Sequence, residues 1–300
     1  MKPNLPVWRS LLYVPVNVEQ YVAKAHLRGA DCIQLDLEDS VPASEKDTAR
    51  HLVPAAAARV RQGGADVVVR VNSPLEMTRK DLDAAIGEDV DGIALTKAQS
   101  SDHVRQVDEI ISNLEASRGL RQGHTRLIAM IETPAAFFQM PAIAASSPRL
   151  AAMNIGGEDF ALECGFEPSE ETLLMPKQTM IFAARSAGIM PFGFIDSVAS
   201  FRDPEAFAQM VQRSRRFGFM GAGCIHPSQV PIVNTHYAPS TEEVSYARRI
   251  VEQDAVHVAA RRASWSLDGK MIDVPVVTRA RQLLERHAAI QAREASKVPA

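Results

Sequence analysis

The 300-residue sequence has few cysteines and no excess of charge of one sign. Its three cysteines, Cys32, Cys164 and Cys224, are widely spaced and include no CxxC pair, which predicts neither a disulfide framework nor a zinc site. Thirty-three basic side chains stand against 36 acidic ones, so the formal net charge is −3. This balance argues against a general nucleic-acid binder, because phosphate contacts require a basic excess.

Long apolar runs are also missing. No run approaches the roughly 20 residues that a membrane-spanning helix needs, because Glu132, Gln139 or a proline interrupts the longest ones. The N-terminal segment contains Lys2, Pro3 and Pro6 but no uninterrupted apolar stretch, which predicts that no signal peptide is cleaved. With 46% hydrophobic and 23% charged residues the composition is that of a globular protein, and we expect a cytoplasmic location.

Short apolar, β-branched runs alternate with helical stretches along most of the chain. The run ends recur about every 30 residues, which is the length of one βα unit. Eight consecutive units predict a single (β/α)8 TIM barrel of the α/β class rather than a six-stranded open sheet. No Gly-x-Gly-x-x-Gly follows the first strand, which disfavours a dinucleotide-binding fold. The predicted strands are Ser10–Pro15, Cys32–Leu37, Val67–Val71, Gly92–Thr96, Arg126–Ile131, Ala151–Ile155, Pro191–Ile195 and Gly221–Ile225.

The chain continues beyond the eighth unit. We divide it into a barrel over residues 1–240 and a C-terminal extension over residues 241–300. Within the extension, Thr241–Arg262 and Thr278–Ser296 are predicted to be helices, and Trp265–Pro275 is predicted to be a loop. A barrel does not need this appendage, so the extension must pack on its own barrel or on a neighbouring subunit.

Polar residues follow or end seven of the eight predicted strands. In a barrel, the active site lies at this end, because the loops that follow the strands converge there. Each residue alone could be a helix cap or a member of an ion pair, but their shared location favours a functional site. These residues are Asp36, Glu38, Arg70, Asn72, Lys97, Glu132, Glu158, Asp159, Asp196 and His226.

Two carboxylates at the ends of adjacent strands predict a metal site. Glu132 and Asp159 offer hard oxygen ligands and leave coordination positions open, which suits Mg²⁺. The lack of histidine or thiolate ligands beside them disfavours zinc. Gly156 and Gly157 precede the second carboxylate, and glycines there let backbone amides approach a bound carboxylate closely.

A second acidic pair lies near an arginine. Asp36 and Glu38 are two residues apart on a strand and point to the same side, so they repel unless a cation, a proton or an arginine lies between them. Arg70 suits bidentate binding of a carboxylate or a developing oxyanion; a structural pair with Glu38 is the alternative, and both can hold at once. The pattern assigns no role to Lys97, and His226, before a proline, is predicted to be structural.

Six ordered motifs resemble the citrate lyase beta-subunit-like family of the HpcH/HpaI aldolase and malyl-CoA lyase superfamily. Each motif is weak alone, but the ordered set covers almost the whole chain. The motifs are Arg9-Ser10-Leu11-Leu12-Tyr13-Val14-Pro15, Asp36-Leu37-Glu38-Asp39, Arg70-Val71-Asn72, Ile131-Glu132-Thr133, Gly157-Glu158-Asp159 and Ile225-His226-Pro227-Ser228-Gln229.

The resemblance implies a Mg²⁺-dependent carbon–carbon lyase. Such an enzyme cleaves or forms a 3-hydroxyacyl-CoA of the malyl-, citramalyl- or citryl-CoA type. Its products are a CoA thioester and a 2-oxo acid such as glyoxylate, pyruvate or oxaloacetate. By resemblance, Glu132 and Asp159 hold the metal ion, while Asp36 and Glu38 shape its surroundings.

The resemblance also implies roles around the substrate. Arg70 matches the arginine that binds the oxygen of the 2-oxo acid, and the backbone amides around Gly157 and Glu158 match those that hold its carboxylate. The segment Gly269–Pro275 looks like a lid that reaches a neighbouring subunit's active site, where Asp273 matches the acid of the CoA-cleaving members. This arrangement implies a homotrimer or a multiple of one, such as a hexamer.

Two departures from the family pattern concern the acyl carrier. Val16 follows Pro15 where the family usually has glycine, and Ala222 and Gly223 stand where a lysine is usual. The carrier of the acyl group is therefore either CoA or a carrier-protein thioester. Two alternative functions also stay open: a CoA-independent aldolase for 2-oxo acids or sugar acids, and a subunit active only within a multi-protein citrate lyase complex.

Overall fold

The computed structural model describes residues 5–196 and 203–297 and divides into two compact units. The first unit runs as far as Tyr237, and the second comprises Ala238–Ser296. The ends of the predicted barrel and extension, residues 1–4 and 298–300, lie outside the described residues. No helix in the described part of the chain is both long and apolar enough to cross a membrane.

The first unit is built on eight parallel strands. Each strand pairs with its neighbours in chain order, and β8 pairs with β1. A parallel bridge between Phe192 and Gly221 joins the two remaining edges, so the predicted (β/α)8 barrel is confirmed. The strands are β1 (Ser10–Pro15), β2 (Cys32–Asp36), β3 (Asp66–Val71), β4 (Gly92–Leu95), β5 (Arg126–Ile131), β6 (Leu150–Ile155), β7 (Met190–Pro191) and β8 (Ala222–Cys224).

The seventh strand is shorter than predicted. The sequence predicts Pro191–Ile195, but β7 ends at Pro191 after two residues. Gly193 has a φ of 133°, which lies outside the range of an L-residue strand, and its backbone N–H donates to Gly221 at 2.8 Å. The chain therefore bends toward β8 instead of continuing along β6.

Ten helices occupy the described part of the first unit. Thr133 caps one of them by accepting from the backbone N–H of Ala136 at 3.2 Å, and Pro134 occupies its first turn. The helices are α1 (Glu19–Ala25), α2 (Lys46–Val60), α3 (Leu75–Ala85), α4 (Ser101–Ser117), α5 (Pro134–Phe137), α6 (Met140–Ala144), α7 (Gly157–Cys164), α8 (Glu170–Ser186), α9 (Pro204–Phe217) and α10 (Gln229–His236).

Side chains along each strand point alternately to the two sides of the sheet, which divides the core into two layers. In β3, Val67 and Val69 belong to the large cluster between strands and helices, whereas Val68 belongs to a smaller cluster inside the barrel. Trp8 is fully buried in that inner cluster. Each such side chain contributes about 1.5–3 kcal/mol of burial free energy. Because apolar side chains fill the inside of the barrel, the polar side chains lie at the ends of the strands.

The second unit contains two helices and a hairpin: α11 (Thr241–Ala259), β9 (Trp265–Leu267), β10 (Lys270–Ile272) and α12 (Val274–Ser296). The predicted loop is therefore wrong over the two strands. Asp268 and Gly269 have φ values of 50° and 75°, which form the two-residue turn that joins antiparallel strands. The last helix begins four residues earlier than predicted, because the Asp273 carboxylate accepts from the Val276 N–H and caps it.

Candidate active site

A cavity of about 890 Å³ opens at the carboxyl ends of the barrel strands. It collects most of the polar residues that the sequence predicts at these ends. Its lining includes Tyr13, Asp36, Arg70, Glu132, Gly157, Glu158, Asp159, Lys177, Asp196 and His226. The lining residues belong to the first unit.

Arg70 is held by a buried carboxylate on the adjacent strand. Strands β2 and β3 pair with Asp36 opposite Arg70. The guanidinium donates from Nε to Asp36 Oδ1 at 2.7 Å and from Nη2 to Oδ2 at 2.6 Å. Burial alone would raise the pKa of Asp36, but these bonds and the charge of Arg70 hold it below its usual range. The pair therefore stays ionised and fixes the plane of the guanidinium.

The remaining face of the Arg70 guanidinium meets two further carboxylates. Its Nη1 lies 2.8 Å from Glu38 Oε2 and 3.2 Å from Asp39 Oδ2. Burial and the neighbouring Asp39 raise the pKa of Glu38 to about 7, although Arg70 opposes the shift. The structure thus contains the pair of Arg70 with Glu38 that the sequence offers as an alternative. Glu38 contacts Arg70, but it is not among the described residues that line the cavity.

Tyr13 is a site residue that the sequence does not single out. Its ring lies below the guanidinium, 5.3 Å from Arg70 Cζ, a cation–π distance. A side chain at Gly223 would place its Cβ 2.5 Å from the ring, so the Tyr13 position requires glycine there. Gly223, which departs from the family pattern, therefore leaves the space that the Tyr13 ring occupies. The signals for Tyr13 in the sequence were its place in the first family motif and its position near the end of an apolar strand.

Glu132 is almost completely buried at the end of β5. Only 3% of its surface is exposed, and its Oε2 accepts the backbone N–H of Lys97 at 2.7 Å. A Cβ at Gly156 would lie 2.6 Å from Oε1, so glycine is needed for this close approach. Burial and the charge of Asp159 raise the pKa of Glu132 to about 7, with Lys97 and Arg70 opposing. A cation beside this carboxylate would lower its pKa and so oppose the effects of burial and of Asp159.

Asp159 and Lys97 complete this side of the cavity. The Asp159 side chain, in the first turn of α7, is 41% exposed, and the Lys97 ammonium lies 3.8 Å from its Oδ1. Lys97 adopts a left-handed backbone conformation with a φ of 48°, which directs its N–H to Glu132. The structure thus places Lys97, to which the sequence assigns no role, beside both predicted metal ligands.

The donor set fits Mg²⁺. Glu132 and Asp159 supply carboxylate oxygens, and no group of three or more His, Cys, Asp or Glu residues suited to a metal occurs in the described chain. An ion with two protein carboxylates must take its other ligands from water and substrate, which is the usual coordination of Mg²⁺. Zinc sites usually contain several histidine or thiolate ligands, whereas Glu132 and Asp159 are both carboxylates. The Glu132 carboxylate is also held in place, because its Oε2 accepts the backbone N–H of Lys97 at 2.7 Å.

The start of helix α7 forms the wall beside these carboxylates. Gly157 is its first residue and Glu158 its second, so their backbone N–H groups have no acceptor one turn earlier in the helix. Such amides, together with the positive end of the helix dipole, favour a bound carboxylate. The structure therefore brings the predicted carboxylate-binding residues next to the predicted metal ligands.

Three other predicted residues have structural partners. His226 Nδ1 lies 2.7 Å from Ser228 Oγ, within the turn before α10, as a structural role predicts. Asn72 donates to Leu37 O at 2.8 Å and holds the end of β3. Asp273 belongs to the second unit, where it caps α12.

Residues 9–227 match the HpcH/HpaI aldolase/citrate lyase family. The chain belongs to this family. It is 37% identical over 284 residues to citrate lyase subunit beta of Escherichia coli strain K12, covering 93% of this chain and 92% of the relative. It is 32% identical over 296 residues to (3S)-malyl-CoA thioesterase of Cereibacter sphaeroides, covering 96% and 98%. The resemblance that the sequence motifs indicate is therefore confirmed.

A solved structure supports the same assignment. The protein CitE of Mycobacterium tuberculosis, in complex with magnesium, acetoacetate and coenzyme A, aligns with a TM-score of 0.73 and 28% identity. The alignment covers 93% of this chain and 97% of that one. The family members therefore share the barrel over nearly its whole length.

Proposed function

We propose that the protein is a Mg²⁺-dependent carbon–carbon lyase that cleaves or forms a 3-hydroxyacyl-CoA. The observation that carries this proposal is the grouping of Glu132, Asp159 and Arg70 in one cavity at the carboxyl ends of the strands. The family includes citrate lyase beta subunits, and the CitE relative was solved with magnesium and coenzyme A. The substrates are a CoA thioester and a 2-oxo acid.

The cavity residues divide the chemistry between them. When Glu132 and Asp159 hold it, Mg²⁺ supplies Lewis-acid polarisation of the 2-oxo acid. The amides of Gly157 and Glu158 bind the carboxylate, which orients the carbonyl carbon. Arg70 donates its remaining Nη2–H to the carbonyl oxygen, since its other N–H groups face Asp36, Glu38 and Asp39.

Arg70 and Asp273 act on the reacting bond. In the direction of synthesis, the Asp273 carboxylate removes a proton from the α-carbon of the thioester, and that carbon then bonds to the carbonyl carbon of the 2-oxo acid. The carbonyl electron pair moves onto the oxygen, where Arg70 stabilises the negative charge before a proton from solvent neutralises it. Because Asp36 fixes the guanidinium, little reorganisation is needed. Cleavage is the reverse sequence.

A basic rim supports a CoA thioester over a free 2-oxo acid as the partner substrate. Lys24 and Arg28 line the same cavity, on and just after α1. In the described chain neither side chain forms an ion pair, and both are exposed. These two charges suit the phosphates of CoA, which a CoA-independent aldolase would not need.

The assay of this proposal uses the purified chain with malyl-, citramalyl- and citryl-CoA, with and without Mg²⁺. Turnover of at least one thioester that disappears with EDTA and returns with Mg²⁺ is expected. Lack of turnover of all three, with Mg²⁺ shown to be bound, would contradict the proposal. A CoA-dependent rise in melting temperature that Lys24→Ala and Arg28→Ala reduce would separate the lyase from a CoA-independent aldolase.

A second candidate is a subunit that acts only within a multi-protein complex. The observation that favours it is the 37% identity to citrate lyase subunit beta of Escherichia coli. Activity of the purified chain alone on citryl-CoA would exclude this candidate. Activity that appears only after adding a thioester on a carrier protein would favour it.

The C-terminal extension is proposed to pack on a neighbouring subunit and carry Asp273 into that subunit's cavity, in a homotrimer or hexamer. Exposed apolar side chains in the second unit support this proposal, with Val256, Met271 and Val274 between 61% and 70% exposed. Such side chains favour burial against another surface. Sedimentation equilibrium measures the mass, and a monomer at micromolar concentration would contradict the proposal.

A cytoplasmic location is part of the same proposal. Cys32, Cys164 and Cys224 form no disulfide, which fits a reducing compartment. Cell fractionation with an antibody against the chain is the direct measurement, and recovery in the membrane or extracellular fraction would contradict it.

A further inference from the structure

Lys177 is a buried cation in the cavity wall, and no sequence motif includes it. It lies in α8 directly after Pro176, and only 6% of its surface is exposed. The side chain lines the cavity, and its Nζ donates to the backbone oxygen of Asp196 at 3.0 Å. A charged group is therefore buried beside the substrate site.

The ammonium of Lys177 lacks a full set of acceptors. It has three N–H donors, and the Asp196 carbonyl accepts one of them. Among the residues that the structure describes, no carboxylate lies within ion-pair distance of Nζ. Burial lowers the pKa of Lys177 to about 8, with Asp196, Glu158 and Glu170 opposing, so most of it is charged at pH 7. A buried charge without a counter-ion is unfavourable unless a ligand provides one.

The two glycines before Glu158 lie close to Glu132 and to Lys177. A Cβ at Gly156 would lie 2.6 Å from Glu132 Oε1, whereas a Cβ at Gly157 would lie 3.8 Å from Lys177 Nζ. The Cα atoms of consecutive residues are about 3.8 Å apart. The carboxylate of Glu132 and the ammonium of Lys177 therefore both lie close to the start of α7.

We propose that Lys177 binds a second carboxylate on the 2-oxo acid and so selects a dicarboxylic substrate, of which oxaloacetate is the simplest with a free methylene, over pyruvate or glyoxylate. This inference rests on the proposed function. In that proposal, the first carboxylate and the carbonyl of the 2-oxo acid are bound by Mg²⁺, Arg70 and the amides of α7. Apart from these groups, Lys177 is a buried cation in the described wall of the cavity, whereas Lys24 and Arg28 in the same wall are exposed.

The apolar neighbours of Lys177 increase the expected preference for a dicarboxylic acid over pyruvate. Leu173, Met180 and Phe194 line the same cavity and provide apolar surface. A methyl group, as in pyruvate, would contact this surface but leave the ammonium without an acceptor. A carboxylate would complete its hydrogen bonds with charge-assisted contacts. A site built around a buried donor discriminates strongly against a ligand that lacks the acceptor.

The test measures binding of two 2-oxo acids by calorimetry in the presence of Mg²⁺. Oxaloacetate, prepared fresh, and pyruvate are titrated into the full chain and into Lys177→Met and Lys177→Arg. Lys80→Met, on the exposed face of α3, is the matched control. We expect the ratio of the oxaloacetate Kd to the pyruvate Kd to rise at least tenfold in Lys177→Met, and to rise less in Lys177→Arg.

A measurement on the unaltered protein guards against a variant that does not fold. The 4-methyl ester of oxaloacetate keeps the shape of the acid but removes the second charge. We expect the wild-type protein to bind this ester at least tenfold more weakly than oxaloacetate. Equal binding of ester and acid, or an unchanged Kd ratio in folded Lys177→Met, would overturn the inference and leave the proposed function intact. Failure of the wild type to bind any 2-oxo acid with Mg²⁺ would overturn both.

Discussion

The two carboxylates assigned to the metal ion have different surroundings. Glu132 is almost fully buried and accepts the Lys97 N–H, whereas the Asp159 side chain is 41% exposed and faces the Lys97 ammonium. A buried carboxylate is held in one orientation, and an exposed one can adjust to the ligand. The pair thus combines a rigid ligand with an adaptable one.

Neutralising either carboxylate is expected to remove the metal site. Glu132→Gln and Asp159→Asn keep the side-chain shape but lose the charge, so Mg²⁺ affinity should fall by more than tenfold and turnover by about 10²–10³-fold. Calorimetric titration with Mg²⁺ and a lyase assay measure the two effects. Glu163→Gln, an exposed acid on α7, is the control. Unaltered Mg²⁺ affinity in either variant would show that the ion lies elsewhere.

Asp36 acts through Arg70 and is a positioning residue. In Asp36→Asn one of the two strong bonds to the guanidinium is weakened, and the buried Arg70 loses its counter-charge. We expect kcat to fall by about 10²-fold while the KM for the CoA thioester changes little, because the arginine acts at the reacting oxygen. Steady-state kinetics separate the two constants. A change confined to KM would contradict this assignment.

At the scale of elements, the turn between β6 and α7 is shaped by one close approach. Gly156 has a φ of −72°, so alanine meets no backbone strain there, yet its Cβ would lie 2.6 Å from Glu132 Oε1. Gly156→Ala is therefore expected to displace Glu132 and weaken Mg²⁺ binding at least tenfold while the barrel stays folded.

Gly87→Ala is the matched control for this substitution, since a Cβ at Gly87 meets no atom within 4 Å. Circular dichroism checks the fold of both variants, and calorimetry measures their Mg²⁺ affinity. Equal Mg²⁺ affinity in the two variants would show that Glu132 is not constrained by Gly156.

The opposite end of the barrel contains a buried ion pair that joins α4 to the segments before β5 and β6. Glu115 of α4 accepts Arg149 Nη1 and Nη2 at 2.7 Å and the N–H groups of Gly123 and Thr125 at 2.8 Å. Burial would raise the pKa of Glu115, but the bonds from Arg149 and the two amides hold it below its usual value. This end of a barrel serves stability.

Because the pKa of Glu115 is lowered in the folded protein, the free energy of unfolding depends on pH. Its folded pKa lies below the unfolded value of about 4.3, so its contribution is complete above pH 5 and is lost as pH falls through the folded pKa. Glu115→Gln should lower the free energy of unfolding by about 1–3 kcal/mol at pH 7, since Arg149 loses one buried carboxylate and keeps Asp108 as its counter-charge. Urea unfolding at pH 7 and pH 4 should show a smaller pH effect in the variant. An equal effect in both proteins would contradict the prediction.

At the scale of the whole molecule, the source of Asp273 decides how many chains form one active site. If a neighbouring subunit supplies it, co-expressed Arg70→Ala and Asp273→Ala chains form some cavities that contain both native residues. Random assembly of equal amounts would then recover about a quarter of wild-type activity, whereas each variant alone is inactive. If both residues come from one chain, no mixed cavity is complete and no activity returns. The lyase assay on the co-purified oligomer distinguishes these outcomes.

Much of the fold could be predicted from the sequence. The apolar runs predict all eight strands of the barrel, because a strand buried on both sides carries few polar residues. The error in β7 comes from Gly193, whose φ depends on the pairing with β8. The hairpin around Asp268 and Gly269 was missed although this dipeptide is a strong turn signal, because the flanking strands have three residues each.

The candidate site was predictable where polar residues interrupt strand ends. Asp36, Arg70, Glu132 and Asp159 are visible in this way, and the structure brings them to one cavity. Lys177 was not predictable, because a lysine within a helix is usually exposed and only packing against the barrel buries it.

The sequence by itself determined the succession of strands and helices and the chemistry placed at the strand ends, since both follow from local polarity and spacing. The tertiary structure decided what those groups face. It paired Arg70 with Asp36, set the Tyr13 ring against Gly223 and buried the Lys177 ammonium in the cavity wall. These contacts join residues far apart in the chain, and their energies depend on distance and burial, which a linear pattern does not contain.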